Sequence, residues 1–307
     1  MRRTVALCLL DPANGHQQLI EKDARATAKQ AGLEVETYFA NGQTTAQVKQ
    51  IYSCIHGEAA ARTCAIVVMP ARDNGLNRVA HDAVRSGLGW ICLHRQMDCL
   101  ADLRREYPKI PISTVTPDQI EIGRIQGRQF RALLPHGGRV LYVQGNAQSS
   151  PARARLEGMR EAITGSKIEA ADVIDGNWIP ADAEHMVSGW LRMVMSGKSR
   201  LDLVGCQNDL MATGARKALE TVGNYLSRAD LASIRLTGCD GLPEFGQKMV
   251  NEGYLAATII VPSSGTPALE LIADAIEHGR LPPATVPLAS ASYPSETILA
   301  GGTRKTN

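Results

Sequence analysis

The sequence predicts an α/β protein built on parallel sheets and arranged as two units of similar size. Short apolar runs alternate with amphipathic helical stretches along almost the whole chain. The connections between them are short, which suits strands covered by helices on both faces. This alternation pauses once, in a polar, proline-punctuated stretch at residues 98–111, and then restarts. A chain of 307 residues has the length for about two ordinary domains.

In the first unit, residues 4–10 form a Val- and Leu-rich strand, followed by a turn at residues 11–15. A helix over residues 16–30 places Leu19, Ile20, Ala24 and Ala28 on one face, and Gly32 stands where a C-terminal glycine belongs. Residues 33–39 alternate as a strand, and residues 44–56 form a helix with Val48, Ile51 and Ile55 inward. Residues 64–69 are a continuous apolar strand stopped by Pro70; a helix at 76–85 and a strand at 90–93 follow. In the second unit, strands are expected at 112–115, 139–144, 168–174, 201–205, 234–239 and 256–261. Helices are expected at 117–134, 151–163, 181–195, 208–222, 242–251 and 264–278. The Pro-, Ala- and Ser-rich tail ends in a thin edge strand near residues 288–292.

Composition narrows the function. The chain is 44% hydrophobic and 21% charged, so it can bury a core and is not a disordered or low-complexity sequence. Lys and Arg total 33 against 31 Asp and Glu, a net charge of +2 with no basic block, which gives no electrostatic case for nucleic acid. No apolar run approaches the roughly 20 residues of a membrane span, so no direct membrane insertion is expected. Seven cysteines, an odd number without a C-x-x-C pair, read as small buried hydrophobes and not as a disulfide framework or zinc site. No signal peptide is visible. The chain reads as periplasmic if a leader was removed and as cytoplasmic if it is full length.

Ligands of open parallel sheets bind beyond the carboxyl ends of the strands. The residues there are 11–16, Met69 and Pro70, 94–96, 145–151, Asn177 and Trp178, 207–209, Asp240 and Gly241, and 262–265. This polar set, with one Trp, suits a neutral polyhydroxyl ligand: Arg, Asp and Asn grip vicinal hydroxyls and the indole covers the C–H face of a sugar ring. No G-x-G-x-x-G follows the first strand. Gly197–Ser199 only superficially ends a P-loop, and residues 263–265 are not a nucleophile elbow, because Val261 stands where its first glycine belongs. The seven His have no metal spacing. No enzyme activity, cofactor or metal is therefore expected.

The order of motifs resembles a known family. Residues 207–219 (QNDLMATGARKAL), 239–243 (CDGLP), 253–259 (GYLAATI), 94–96 (HRQ) and 152–158 (ARARLEG) look like matching segments of ribose-type periplasmic sugar-binding proteins. Their type I fold also builds the effector domain of lactose-repressor-type regulators. The resemblance implies two doubly wound parallel-sheet lobes joined by a three-strand hinge, closing on a ligand held between them. It implies lobe 1 at 1–114 plus 262–289, and lobe 2 at 115–261 plus 290–307. It makes Asn14, Arg95, Arg155, Trp178, Asn208 and Asp240 ligand-binding candidates, and it places His16, Met69 and His94 where the family carries other pocket residues.

The family usually has Asp where His94 stands, paired Phe at His16 and Gln17, Asn at Met69, an aromatic at Cys239 and Gln or Asp at Val261. These departures suggest a larger or less polar ligand, or one with an acidic group held by Arg95, Arg155 and His94. Plainer readings stand beside these. Asn208 and Asp209 suit helix N-caps, with binding assigned to Asn208 and capping to Asp209. Asp240 suits a turn, Trp178 core packing, Met69 an apolar wall, His94 a pocket-lining residue and His16 a helix start. The expected function is a solute-binding protein for a sugar or sugar derivative, read by an ABC transporter permease or a sensor protein. The alternative is an intracellular ligand sensor, or a regulator-like domain without DNA-binding helices, since the first strand begins near Thr4.

Overall fold

In a computed structural model, which describes residues 3–194 and 200–301, the chain divides into two compact units. One holds the chain through Pro117 together with Pro262–Leu288; the other holds Asp118–Val261 and the chain from Ala289. Met195, the end of one predicted helix, and the P-loop-like Gly197–Ser199 lie outside the described residues.

The first unit is a six-stranded parallel sheet. Its strands are β1 (Thr4–Leu9), β2 (Glu34–Phe39), β3 (Thr63–Val68), β4 (Gly89–Leu93), β5 (Ile112–Pro117) and β11 (Thr285–Leu288), in the order β11-β5-β4-β3-β1-β2. Side chains alternate across a strand, so each central strand feeds two cores. Val5, Leu7, Leu9, Val67, Ile91 and Leu93 face α1 (Gly15–Gln30) and α10 (Gly265–His278) through Ile20, Ala24, Leu269 and Ile272. Ala6, Cys8, Ile66, Val68, Trp90 and Cys92 face α2 (Thr44–His56), α3 (Asn77–Arg85) and α4 (Leu100–Glu106). Both faces are dry, which is why these strands read as unbroken apolar runs.

The second unit has a four-stranded parallel sheet, ordered β7-β6-β8-β9, from β6 (Gly138–Gln144), β7 (Ile168–Asp175), β8 (Leu203–Cys206) and β9 (Arg235–Thr237). Beside it, β10 (Thr258–Ile260) pairs antiparallel with β12 (Ala291–Tyr293). One face packs on α7 (Pro180–Val194) and α8 (Asp209–Tyr225) through Leu141, Val143, Val204, Cys206 and Leu236. The other carries Val140, Tyr142 and Leu203 against Phe130 of α5 (Gln119–Leu133) and Met159 of α6 (Ser150–Ile163).

Three expectations need correction. The stretch at 98–111 is not wholly irregular but contains α4, which needs only Leu100 and Leu103 to anchor it. The thin tail strand is two strands: β11 completes the first unit's sheet and β12 pairs with β10 in the second. The helix expected at 242–251 opens as a π-helical turn at Pro243–Gln247 before α9 (Lys248–Asn251), and a short α11 (Glu296–Ala300) follows β12.

Helices α5 and α6 approach closely where both carry glycine. A Cβ at Gly158 would lie 1.9 Å from the Ile120 carbonyl oxygen, so only hydrogen fits there. Gly158→Ala is expected to separate the two helices and destabilise the chain by about 1–3 kcal/mol, the usual cost of overpacking. Urea unfolding of the variant beside the wild type measures it.

Candidate functional site

The residues singled out in the sequence fall into two groups, one at the carboxyl edge of each unit's main sheet. In the first unit, Asn14 caps α1: its Oδ1 accepts from Gln17 N at 3.1 Å. Gln17 is buried and its Oε1 accepts from Leu10 N and Asp11 N, tying down the loop after β1. His16 is buried, with its ring edge-on to His94 at a centroid separation of 5.4 Å. His94 follows β4 in the left-handed region, φ 64°, and its Nε2 lies 3.1 Å from Oγ of buried Ser264. Arg95 donates from Nη1 to Asp73 Oδ1 at 3.0 Å, both side chains being largely shielded from solvent. Met69 is buried. Its carbonyl accepts from Gln47 Nε2, while Gln47 Oε1 accepts from Ala71 N, so one buried glutamine fixes the backbone leading to Asp73.

The second group centres on Arg155, in the second turn of α6 and 5% exposed. Its Nε donates to Gln119 Oε1 at 2.8 Å, and Nη1 donates to the Gln207 carbonyl at 2.6 Å and to Cys239 Sγ at 3.4 Å. The guanidinium also lies 5.4 Å from the centroid of the Trp178 ring, a cation–π distance. A buried charge is tolerated only where donors and acceptors surround it, and these contacts provide that shell. Gln207, fully buried, builds the platform beneath: Gly145 N donates to its Oε1, and its Nε2 donates to the Ala152 carbonyl. The Trp178 ring lies so close to Gly145 that a Cβ there would be 2.0 Å from Cε2.

Asn208 is the N-cap of α8: its Oδ1 accepts from Met211 N at 2.7 Å and its Nδ2 donates to the Trp178 carbonyl at 3.2 Å. Asp209 does not cap the helix, contrary to the division expected from the sequence. It is 1% exposed and turned inward; Oδ2 accepts from Gly241 N and Oδ1 pairs with Thr258 Oγ1. Asp240 sits at φ 111° after β9, held by backbone bonds to Ile259 and Val261. Its carboxylate makes no hydrogen bond among the described residues. Burial pushes its pKa up to about 7, opposed by the Arg155 charge. Cys239 is pushed up to about 12 by burial, with Arg155 pulling down, so it stays a neutral thiol.

His94, Trp178 (φ 69°) and Asp240 all carry positive φ without being glycine. Such backbone is costly and persists where surrounding structure over-determines it, typically at sites of function. Sequence reasoning missed Asp73, Gln47 and Gln119. Asp73 lies five residues past β3, beyond the segment scanned for ligands. The two glutamines show their role only through the partners that folding brings to them.

Two sheet edges lined with amide, carboxylate and guanidinium groups are what an α/β protein that binds a small polar molecule presents. Comparison with known proteins agrees. The periplasmic binding protein domain model matches residues 5–279, and the chain belongs to that family. The ribose import binding protein RbsB of Escherichia coli (strain K12) is 32% identical over 149 residues, 48% of this chain and 46% of that protein. The D-ribose/D-allose-binding protein of Pseudomonas aeruginosa is 23% identical over 259 residues, covering 83% of this chain and 75% of that one. The chain spans about half the length of the ribose import binding proteins it matches first. Among solved structures, a galactofuranose binding protein superposes with a TM-score of 0.81 at 20% identity, covering 97% and 96% of the two chains. The Caulobacter myo-inositol binding protein gives 0.80 at 20% identity, over 99% and 98%. The type I periplasmic binding protein fold is therefore established. No helix among the described residues is long and apolar enough to cross a membrane.

Gly145→Ala is expected to displace the Trp178 ring while leaving the sheet intact. Tryptophan emission should shift with little change in the far-ultraviolet circular dichroism.

Proposed function

We propose that this chain is a solute-binding protein without chemistry of its own, capturing a small neutral sugar or sugar-like polyol for ABC-type uptake or for sensing. Asn14, His16, Met69, His94 and Arg95 are its proposed ligand contacts from the first unit, and Arg155, Trp178, Asn208 and Asp240 those from the second. The observation that carries this reading is Asp240. Its carboxylate, uncommitted among the described residues, stands within electrostatic reach of a buried, fully oriented guanidinium. A carboxylate that accepts and an arginine that donates together match the hydroxyls of a polyol.

A neutral ligand is favoured over an acidic one because each arginine already has a carboxylate nearby: Asp73 for Arg95 and Asp240 for Arg155. A second, anionic ligand would have to displace or outbid those partners. The relatives named for ribose, allose, galactofuranose and myo-inositol make these the first compounds to test. Export to the periplasm and hand-over to a permease follow the same family reading.

A thermal-shift screen over these sugars, together with sugar acids, is the direct test. A neutral sugar is expected to raise the melting temperature in proportion to the logarithm of its concentration. Asp240→Asn should weaken that ligand by about 10- to 100-fold, the range for hydrogen bonds to a charged group. A shift with sugar acids alone would overturn the neutral-ligand reading.

Affinity should also depend on pH. Asp240 accepts hydroxyl hydrogens fully only when ionised, and its pKa is raised to about 7. Binding is therefore expected to be strongest above neutrality and to weaken by up to about ten-fold per pH unit well below it. Calorimetric titrations between pH 5 and 8.5 would show the trend.

A further inference from the structure

The second unit contains a carboxylate that the proposed binding set does not use. Asp209 opens α8, yet its side chain turns away from the helix end into the protein. Two contacts tie it to the turn that carries Asp240 and a third ties it to β10: its own N donates to the Cys239 carbonyl at 2.6 Å, Oδ2 accepts from Gly241 N at 2.9 Å, and Oδ1 accepts from Oγ1 of fully buried Thr258 at 2.6 Å. The turn has shaped itself around this carboxyl group, for a Cβ at Gly238 would lie 2.0 Å from Oδ1 and one at Gly246 2.0 Å from Oδ2. The ionisable groups around it are Asp240 and Cys239 on the turn and Cys206 at the end of β8, with Arg155 of α6 acting on the Asp240 side. Both thiols are held neutral by burial. Among the described residues no cation pairs with Asp209. A buried carboxylate beside a second, half-buried one, with Arg155 acting on the second, does not ionise readily.

We propose that Asp209 is a positioning residue that sits in the fold as the neutral acid, its proton on Oδ1 turning the Thr258 hydroxyl from donor to acceptor across the same 2.6 Å contact while Oδ2 accepts from Gly241 N, so that Asp240 alone carries the negative charge opposite Arg155. Geometry already supplies what a neutral acid needs: one oxygen beside a hydroxyl at a short distance, the other beside a backbone N–H. The electrostatics agree in direction. Asp209 is pushed up to about 8, first by burial and then by the charge of Asp240, against the hydrogen bonds from Thr258 and the Gly241 backbone. The consequence for ligand affinity rests on the reading of Asp240 as a ligand contact; the protonation of Asp209 does not.

The experiment therefore reads the ligand-free protein first. A carboxylate that keeps its proton to about pH 8 when folded but loses it near pH 4 when unfolded makes the folded state bind more protons in between. Stability conferred by that proton is full at low pH and is lost as pH rises. Asp209→Asn mimics the neutral acid, its amide donating to Thr258 and its carbonyl accepting from Gly241. The variant is expected to melt within a few degrees of wild type at pH 5.5, to gain on it up to about pH 8, and to hold a level advantage above that. In carbon-detected NMR, the Asp209 carboxyl resonance, identified by its loss in the variant, should titrate above pH 7. A resonance that titrates near pH 4, or a stability deficit in Asp209→Asn that is constant or grows with pH, overturns the proposal. Asp209→Ala, which leaves Gly241 N and Thr258 without their partner, should weaken D-ribose or myo-inositol, whichever the thermal-shift screen identifies, at least ten-fold more than Asp209→Asn does. Equal weakening by the two variants also overturns it. If neither compound binds wild type while Asp209 titrates as expected, the fault lies with the functional reading alone.

Discussion

The buried guanidinium of Arg155 is the constraint around which the second unit is arranged. Taking a charge out of water costs several kcal/mol unless polar groups replace the lost solvent. Here they come from four separate elements: Gln119 at the start of α5, the Gln207 carbonyl beyond β8, Cys239 beyond β9 and the Trp178 ring beyond β7. Each of those groups has to be held in turn. Gln207 is fixed by Gly145 and Ala152, and Trp178 by its carbonyl's bond from Asn208. The left-handed backbone at Trp178 is thus secured from two sides. Fixing one charge ties together the ends of β7, β8 and β9, with Gln207 bringing in the end of β6 through Gly145, and it is at such ends that a parallel sheet offers side chains to a ligand.

The first unit solves a similar problem differently. Arg95 is neutralised directly by Asp73, and the candidate residues beside it in the sequence reading are imidazoles and a thioether where the second unit uses amides. His16, His94 and Met69 present broad, weakly polar surfaces, and the orienting hydrogen bonds are made by residues behind them, Gln17 and Gln47. One group is rich in directional donors and acceptors, the other in shape.

Much of this was legible in the sequence, because buried parallel strands leave a strong signature: runs such as Cys64–Val68 cannot be anything but covered on both faces, and the polar residue that follows such a run lies at the sheet's edge. That logic located His94, Arg95, Trp178, Asn208 and Asp240. It failed where a role depends on a partner distant in the chain. Asp209 beside Asn208 reads as one of two equivalent caps, and only the folded turn at residues 238–246 shows that the asparagine caps while the aspartate is enclosed. Helix α4 was hidden because two buried leucines in a charged stretch produce almost no periodic signal. The tail strands merged in the reading because two short segments separated by only two residues, Ala289 and Ser290, look like one.

The late return of the chain to the first unit bears on how the protein is made. Strand β11 lies at the edge of the six-stranded sheet beside β5, and α10 covers the face that Val5, Leu7 and Leu9 present. Both come from Pro262–Leu288, more than 140 residues after β5 ends. During synthesis the earlier strands emerge with one apolar face half-covered and the β5 edge open to any extended segment that meets it. The pairings that close this unit are therefore among the most distant in sequence, which makes its completion slow relative to its own helices. A nascent chain of this kind stays vulnerable until Pro262–Leu288 has emerged to cover that face and pair with β5.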